Sequence, residues 1–416
     1  MLQTNEMRPS VITLLVGSIA SAATSVHSHG LTRALLPRAN GGFCKLTASS
    51  GGEVRGVLHE GFGPTNSCAP SKGVLNAFML FVDFADQPAR GTGSDSTTAL
   101  KTFFAPAADW YRTSSFNLLK FTVNVDTSKF YRLPANTSAY DSSRAPTAES
   151  HLKYIRDAVD AYLSGGGKAP SAPYDILYIV PTRNALGIST SLTTLIPIRS
   201  RSGVPFSRFG ATTIGKNAYT YWQYKVINHE TGHSMCLPDL YPEGGAVGQY
   251  VGGWDAMGYI LATSPDYFAW NKWKLGWIDD NQVDCITDPG STTHMVYPIE
   301  VKGVSGETKA VVVKRNNTMA LVAEVRAKAG VDIAACATGV VLYTVQNADP
   351  RGKGYVRGPI RVIDTTPRSG GCDGEELSDG TLSLENVKSF PVPGWNVTVT
   401  VTEKLGDAYR IKIDVS

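Results

Sequence analysis

The stretch 221–239, YWQYKVINHETGHSMCLPD, decides how the rest of the chain is read. It carries two of the seven histidines, His229 and His233, four residues apart. On a helix that spacing puts both imidazoles on one face, one turn apart, as two ligands of a single Zn2+ require. Glu230 stands beside the first histidine, in the position of a general base for metal-assisted hydrolysis. Trp222, Val226 and Ile227 supply an apolar face for the helix start. A random chain of this length would show H-E-x-x-H with a probability of roughly 0.005, so chance is a poor explanation. The plain alternative is an amphipathic helix whose His and Glu face solvent.

A zinc catalyst needs a third protein ligand and one open position. Asp239 lies six residues after His233. Pro238 disfavours helix at Leu237, so the helix should end near Cys236 and the chain turn back, bringing the Asp239 carboxylate to the metal. Glu243 and Asp255 are rival third ligands. A loop or capping role is the bland reading of Asp239.

Outward from this stretch the texture is that of a layered α+β protein. VLNAFMLFVDFAD (74–86) and YDILYIVPT (174–182) read as strands buried on both faces, and LLKFTVNV (118–125) as an alternating strand. Helices are expected over 97–113 and after Thr147, where Leu152, Ile155, Val159 and Tyr162 keep helical spacing and Gly165-Gly166-Gly167 gives the stop. This alternation predicts a mixed sheet. Beyond about residue 285 helical periodicity fades. KAVVVKR, MALVAEVRA, TGVVLYTVQN and PIRVIDTT read as strands, and 396–416 as a hairpin around a Gly-Asp turn.

The chain has 416 residues, 42% of them hydrophobic, and a net charge of +3, too mild a balance for nucleic-acid binding or an electrostatic membrane anchor. Residues 11–23, VITLLVGSIASAA, with Arg8 before them and Ala20-Ser21-Ala22 at the end, have the three parts of a secretory signal peptide and are too short for a span. A signal peptide is therefore expected over 1–22, and a leader or propeptide segment over 23–72. Six cysteines suit an exported, disulfide-bonded protein. Proximity along the chain suggests Cys44–Cys68 and Cys336–Cys372. Cys44 as a cap on the zinc is a weaker alternative. Asn136, Asn316 and Asn396 head N-glycosylation sequons.

His229-Glu230-x-x-His233 with an acid at 239 resembles the metzincin pattern H-E-x-x-H-x-x-G-x-x-H/D, and VGGWDAMGY (251–259) looks like a Met-turn. Together with FAWNKWKLGWI (268–278), these motifs are similar to the immune inhibitor A family of secreted metalloproteases. The resemblance spans roughly 72–416 and is dense at 223–278. It implies a metzincin-like catalytic domain over 73–284, with a mixed sheet and an active-site helix, followed by a β-rich C-terminal domain over 285–416. It implies that His229, His233 and Asp239 bind zinc, that Glu230 is the base and that Met257 is the floor of the site. Tyr259 matches the place of an oxyanion-stabilising tyrosine, though a packed core tyrosine is the plainer reading. One departure stands out: the family's glycine at the helix end is Cys236. A side chain in a left-handed turn costs roughly 1–2 kcal/mol, so the turn differs or a disulfide holds it.

The function expected is that of a secreted, monomeric zinc endopeptidase acting on extracellular proteins or peptides through a metal-activated water, with no nucleic-acid partner and no membrane span. Calcium is a weaker expectation, since no acidic cluster has EF-hand spacing. The rival readings are a secreted binding or adhesion module with a vestigial metal site, and a hydrolase of non-peptide bonds such as an amidase.

Overall fold

The run at 74–86 is the central strand of a mixed sheet. The computed structural model describes residues 39–47, 58–63, 66–140, 147–242, 244–263, 265–347, 358–372 and 374–416. The signal peptide expected at 1–22 and the ligand candidate Glu243 lie outside the described residues.

Strand β1 (Gly73–Asp83) is flanked in parallel by β2 (Leu119–Val125) and β3 (Ile176–Pro181). A third parallel neighbour, β5 (Ala211–Thr213), follows β3, and the short β4 (Leu192–Thr194) closes this side antiparallel to β5. The order is thus β2-β1-β3-β5-β4, with β4 terminal. Leu75, Ala77, Met79 and Phe81 face one core, and Phe78, Leu80 and Val82 the other. Burial on both faces is why the sequence here is continuously apolar rather than alternating.

The helix expected over 97–113 is two helices. Helix α1 (Thr97–Phe104) is capped by Ser96, whose hydroxyl accepts the Ala99 N–H at 3.2 Å. Pro106 cannot donate a backbone hydrogen bond, so the helix breaks there and α2 (Pro106–Ser114) starts with Pro in its first turn. Helix α3 (Ala148–Ser164) starts where Thr147 caps it, accepting the Ser150 N–H at 3.1 Å, and stops at Gly165. Its Tyr154, Ile155, Val159 and Tyr162 join Phe78 and Leu80 in the second core.

After the helix that carries His229 and His233, the C-terminal part is a β-sandwich. Strands β6 (Val283–Ile286), β8 (Ala310–Lys314), β9 (Met319–Arg326), β10 (Gly339–Gln346) and β11 (Ile360–Val362) lie side by side in one seven-stranded sheet. The second sheet has four strands, in the order β7 (Gly290–Val296), β14 (Ala408–Val415), β13 (Val397–Leu405) and β12 (Ser389–Val392). The β13–β14 pair is the expected hairpin, turning at Gly406-Asp407 with Gly406 at φ 60°. Val311, Val313, Leu321 and Leu342 pack against Val399, Ile411 and Ile413 between the sheets. The alternate residues Val312, Val322, Val341 and Tyr343 join the core of the first sheet. Period-2 alternation thus supplies both faces, and Arg38–Ser416 form one compact unit. The boundary drawn at 284/285 falls inside β6, and Ala39–Asn40 of the lead-in pairs with that strand. Among the described residues no helix is long and apolar enough to cross a membrane.

Three disulfides form: Cys44–Cys285, Cys68–Cys236 and Cys336–Cys372. The expected Cys44–Cys68 bridge is not among them. Residues near Cys44 are built into the C-terminal sheet, whereas Cys68 is bonded at the end of the helix that carries His229 and His233, so nearness in sequence misled. Cys44, fully buried and disulfide-bonded, cannot cap a metal.

Candidate metal centre

Helix α4 (Lys225–Ser234) carries the HETGH motif. Before it the chain makes a π-helical turn at Ala218–Trp222 and reverses at Gln223, with φ 52°. Trp222 therefore sits half-buried ahead of α4, while Val226 and Ile227 are buried as expected. The back of the helix is pinned by phenols. Tyr111 and Tyr267 donate to the Asn228 carbonyl at 2.6 and 2.8 Å, and Tyr178 pairs with the Thr231 hydroxyl at 2.5 Å.

The front of α4 presents the two rings with centroids 4.7 Å apart. Each ring is fixed through Nδ1: His229 donates to the Ala256 carbonyl at 2.9 Å and His233 to the Leu237 carbonyl at 2.8 Å. A proton held on Nδ1 leaves Nε2 as the lone-pair nitrogen, the tautomer a metal ligand needs. Asp239 Oδ1 lies 3.1 Å from His229 Nε2 and 3.2 Å from His233 Nε2. It is buried between the rings, yet makes no hydrogen bond among the described residues.

The turn that delivers Asp239 is a Schellman cap. Cys236 N–H bonds to the His233 carbonyl at 2.8 Å and Leu237 N–H to the Gly232 carbonyl at 2.9 Å. The residue at the left-handed position of that cap is Cys236, at φ 68°, where glycine is usual. Its bond to Cys68 is the disulfide anticipated as the remedy for the missing glycine.

Met257 is fully buried beneath α4. A Cβ on Gly232 would collide with Met257 Sδ and Tyr267 Oη, which explains the glycine inside the motif. The same turn orients His229 through Ala256 and holds the far side of the cap, since Leu240 N–H bonds to the Met257 carbonyl at 2.9 Å. Asp255, the rival ligand, shapes this turn instead. Its carboxylate accepts from Met257 N at 2.7 Å, Phe268 N at 2.7 Å and Asn271 Nδ2 at 3.1 Å. Burial pushes its pKa up to about 7, against those hydrogen bonds.

Glu230 is buried on the same helix, and its Oε2 accepts the Thr193 hydroxyl at 2.6 Å. Tyr259 is half-buried, and its hydroxyl makes no hydrogen bond to His229, Glu230, His233 or Asp239. The aromatic ring that does meet the centre is Tyr241, stacked on His229 at 5.9 Å. Thr193, one of many threonines, carried no sequence signal, and Tyr241, two residues after Asp239, was assigned no role from the sequence.

His229, His233 and Asp239 are the one group among the described residues whose His, Cys, Asp or Glu ligand atoms converge, all within 4.8 Å. Burial alone would lower His233, but Asp239 and Glu230 raise it to about 9, while the two rings hold Asp239 far below the usual carboxylate range against burial. This reciprocal shift is what a carboxylate wedged between two imidazoles produces without a cation. Two imidazole nitrogens and one carboxylate oxygen, with their outer partners in place, fit a three-ligand zinc site that keeps a fourth position open. No protein-family model and no curated protein matches the chain.

Proposed function

We propose that this chain is an exported zinc endopeptidase of metzincin type, akin to the immune inhibitor A proteases. The observation that carries the reading is the convergence of His229 Nε2, His233 Nε2 and Asp239 Oδ1 beside Glu230, with both Nδ1 protons already committed to backbone carbonyls. When bound, zinc supplies a Lewis acid and brings the pKa of water toward about 7. Glu230 holds the base position: Thr193 occupies Oε2, which leaves Oε1 to take a proton from the attacking water. The same carboxyl then gives that proton to the departing amine. Met257, under Gly232, keeps the helix at a fixed height over the turn that orients His229. Terminal strand β4 carries Thr193 to Glu230, so a peptide added along its outer edge would run past the base. Three disulfides agree with an oxidising destination.

The test is metal analysis of the purified full chain, paired with chelator-sensitive cleavage of casein or gelatin. One zinc per chain and proteolysis lost on chelation are expected. Glu230→Gln should keep the zinc and lose about 10²–10⁴-fold in turnover. Near-normal cleavage by that variant would overturn the base assignment, and an intact protein without zinc would overturn the reading as a whole.

A further inference from the structure

Between the second and third metal ligands sits a non-glycine residue in the left-handed region. Cys236, at φ 68°, is the pivot of the Schellman cap that turns Asp239 back toward His229 and His233. With a Cβ, that conformation is disfavoured by about 1–2 kcal/mol, a 5–30-fold bias toward other backbone states. What holds it is the bond to Cys68, a partner 168 residues away in sequence, with two supports alongside. Ala69 N–H bonds to the Ser234 carbonyl at 2.7 Å, and Lys274 Nζ to the Cys236 carbonyl at 3.0 Å.

The bond can be reached. Cys68 and Cys236 are half-buried, and both line an open groove of about 210 Å³ bordered by Pro70, Ser71, Met235 and Lys274. Cys44–Cys285, by contrast, is buried. Cys336–Cys372 also reaches the surface, but it lies outside the chain path between His233 and Asp239.

We infer that Cys68–Cys236 is a thiol-addressable lock on the metal centre: reduced, it releases the Cys236 turn and loosens the grip of Asp239. This rests on the metal reading above and adds its regulation. In the step, a thiolate of a small dithiol attacks one sulfur, forming a mixed disulfide and expelling the other cysteine as thiolate. The second thiol of the reagent then displaces the first cysteine and leaves as a cyclic disulfide. Two electrons pass from the dithiol to the protein, and the two cysteines end as thiols.

The experiment titrates the zinc-loaded full chain with a dithiol, reading zinc release into a chromogenic chelator and mapping alkylated cysteines by mass. Zinc loss is expected to track alkylation of Cys68 and Cys236 while far-UV circular dichroism holds. A Cys336→Ser/Cys372→Ser variant should behave like the parent. Without reductant, Cys68→Ser should bind zinc about 5–30-fold more weakly, and Cys68→Ser/Cys236→Gly should regain most of the affinity, because glycine adopts the turn freely. Zinc retained after full alkylation of Cys68 and Cys236 would overturn the lock and leave the metal reading standing. So would a double variant as weak as Cys68→Ser. Oxidised protein that takes up no zinc would overturn both.

Discussion

Two clusters of buried charge lie on either side of the turn at 254–257, and they are built to opposite plans. At the candidate metal centre, Asp239 and two imidazoles aim their acceptor atoms at one point, and about a third of the Asp239 side chain is exposed. Behind the turn, a cation already fills the middle. Arg326, fully buried, has Glu300 and Glu324 at 3.5 and 3.6 Å from Nε and Asp332 at 3.6 Å from Nη1, and donates to the Trp254 carbonyl. Beside it Lys272 bonds to Asp266 at 2.7 Å and to the carbonyls of Ser114 and Ile299. Acceptors converging without a donor call for a ligand. Acceptors wrapped around a guanidinium are joinery, here fastening the turn at 254–257 and helix α5 (Ala269–Lys274) to strand β9.

The largest effect expected is on the joinery. Arg326→Leu leaves Glu300, Glu324 and Asp332 without their cation and should destabilise the fold by about 3–5 kcal/mol, measured by urea unfolding. A variant as stable as the parent would mean the cluster does not couple the two parts.

Next is a pH effect with opposite signs at the two places. Burial raises the interior acids Glu60 and Asp255 to about 7 each and Asp332 to about 6, despite nearby cations or hydrogen bonds. Folded chains then hold protons that unfolded chains have released. The stability these protons contribute is full below about pH 4, falls as pH rises, and is gone above about pH 7. Glu60, buried with neither carboxyl oxygen hydrogen-bonded, accounts for about 3 kcal/mol of that slope. Unfolding of zinc-free Glu60→Gln across pH 4–8 should show a shallower fall, and an unchanged slope would place the effect elsewhere. Asp239 works in the other direction, contributing stability above the unfolded carboxylate pKa that is lost as pH falls.

Removing a charge from the open cluster should then act chiefly on metal binding. Asp239→Ala is expected to weaken zinc binding by at least about 100-fold, and in the metal-free chain to remove only the acid-sensitive stability that this carboxylate contributes. Calorimetric zinc titration and urea unfolding on the same sample check both halves. Unaltered zinc affinity would move the third ligand to another residue.

The two clusters also differ in how far the sequence disclosed them. His229, Glu230 and His233 are legible because one helical turn fixes their geometry, and Asp239 because Pro238 limits where the helix can run. Strands such as 176–181 were visible because burial on both faces makes them continuously apolar. The Arg326 cluster was not visible: its members come from 266, 300, 324, 326 and 332, and only β9 and its neighbours bring them together. The same non-locality hid Cys44–Cys285 and Cys68–Cys236. The break at Pro106 was local and could have been read. Thr193 is the instructive omission, a residue with no motif of its own that reaches Glu230 only because β4 lies antiparallel beside β5.

That omission gives the smallest and sharpest effect. Thr193 Oγ1 lies 2.6 Å from Glu230 Oε2 and 2.7 Å from the Thr212 hydroxyl, so Thr212 can donate to Thr193 and Thr193 to the carboxylate. Valine keeps the β-branched shape that suits the strand and removes only this donor. If Thr193 serves to aim Oε1, Thr193→Val should lower kcat about tenfold with KM and zinc content nearly unchanged, the mark of an interaction made in the transition state. Thr193→Ser, which retains the hydroxyl, should recover most of the rate. Equal losses in both variants would point to packing in β4, and loss of zinc in either would tie Thr193 to the ligands rather than to the base.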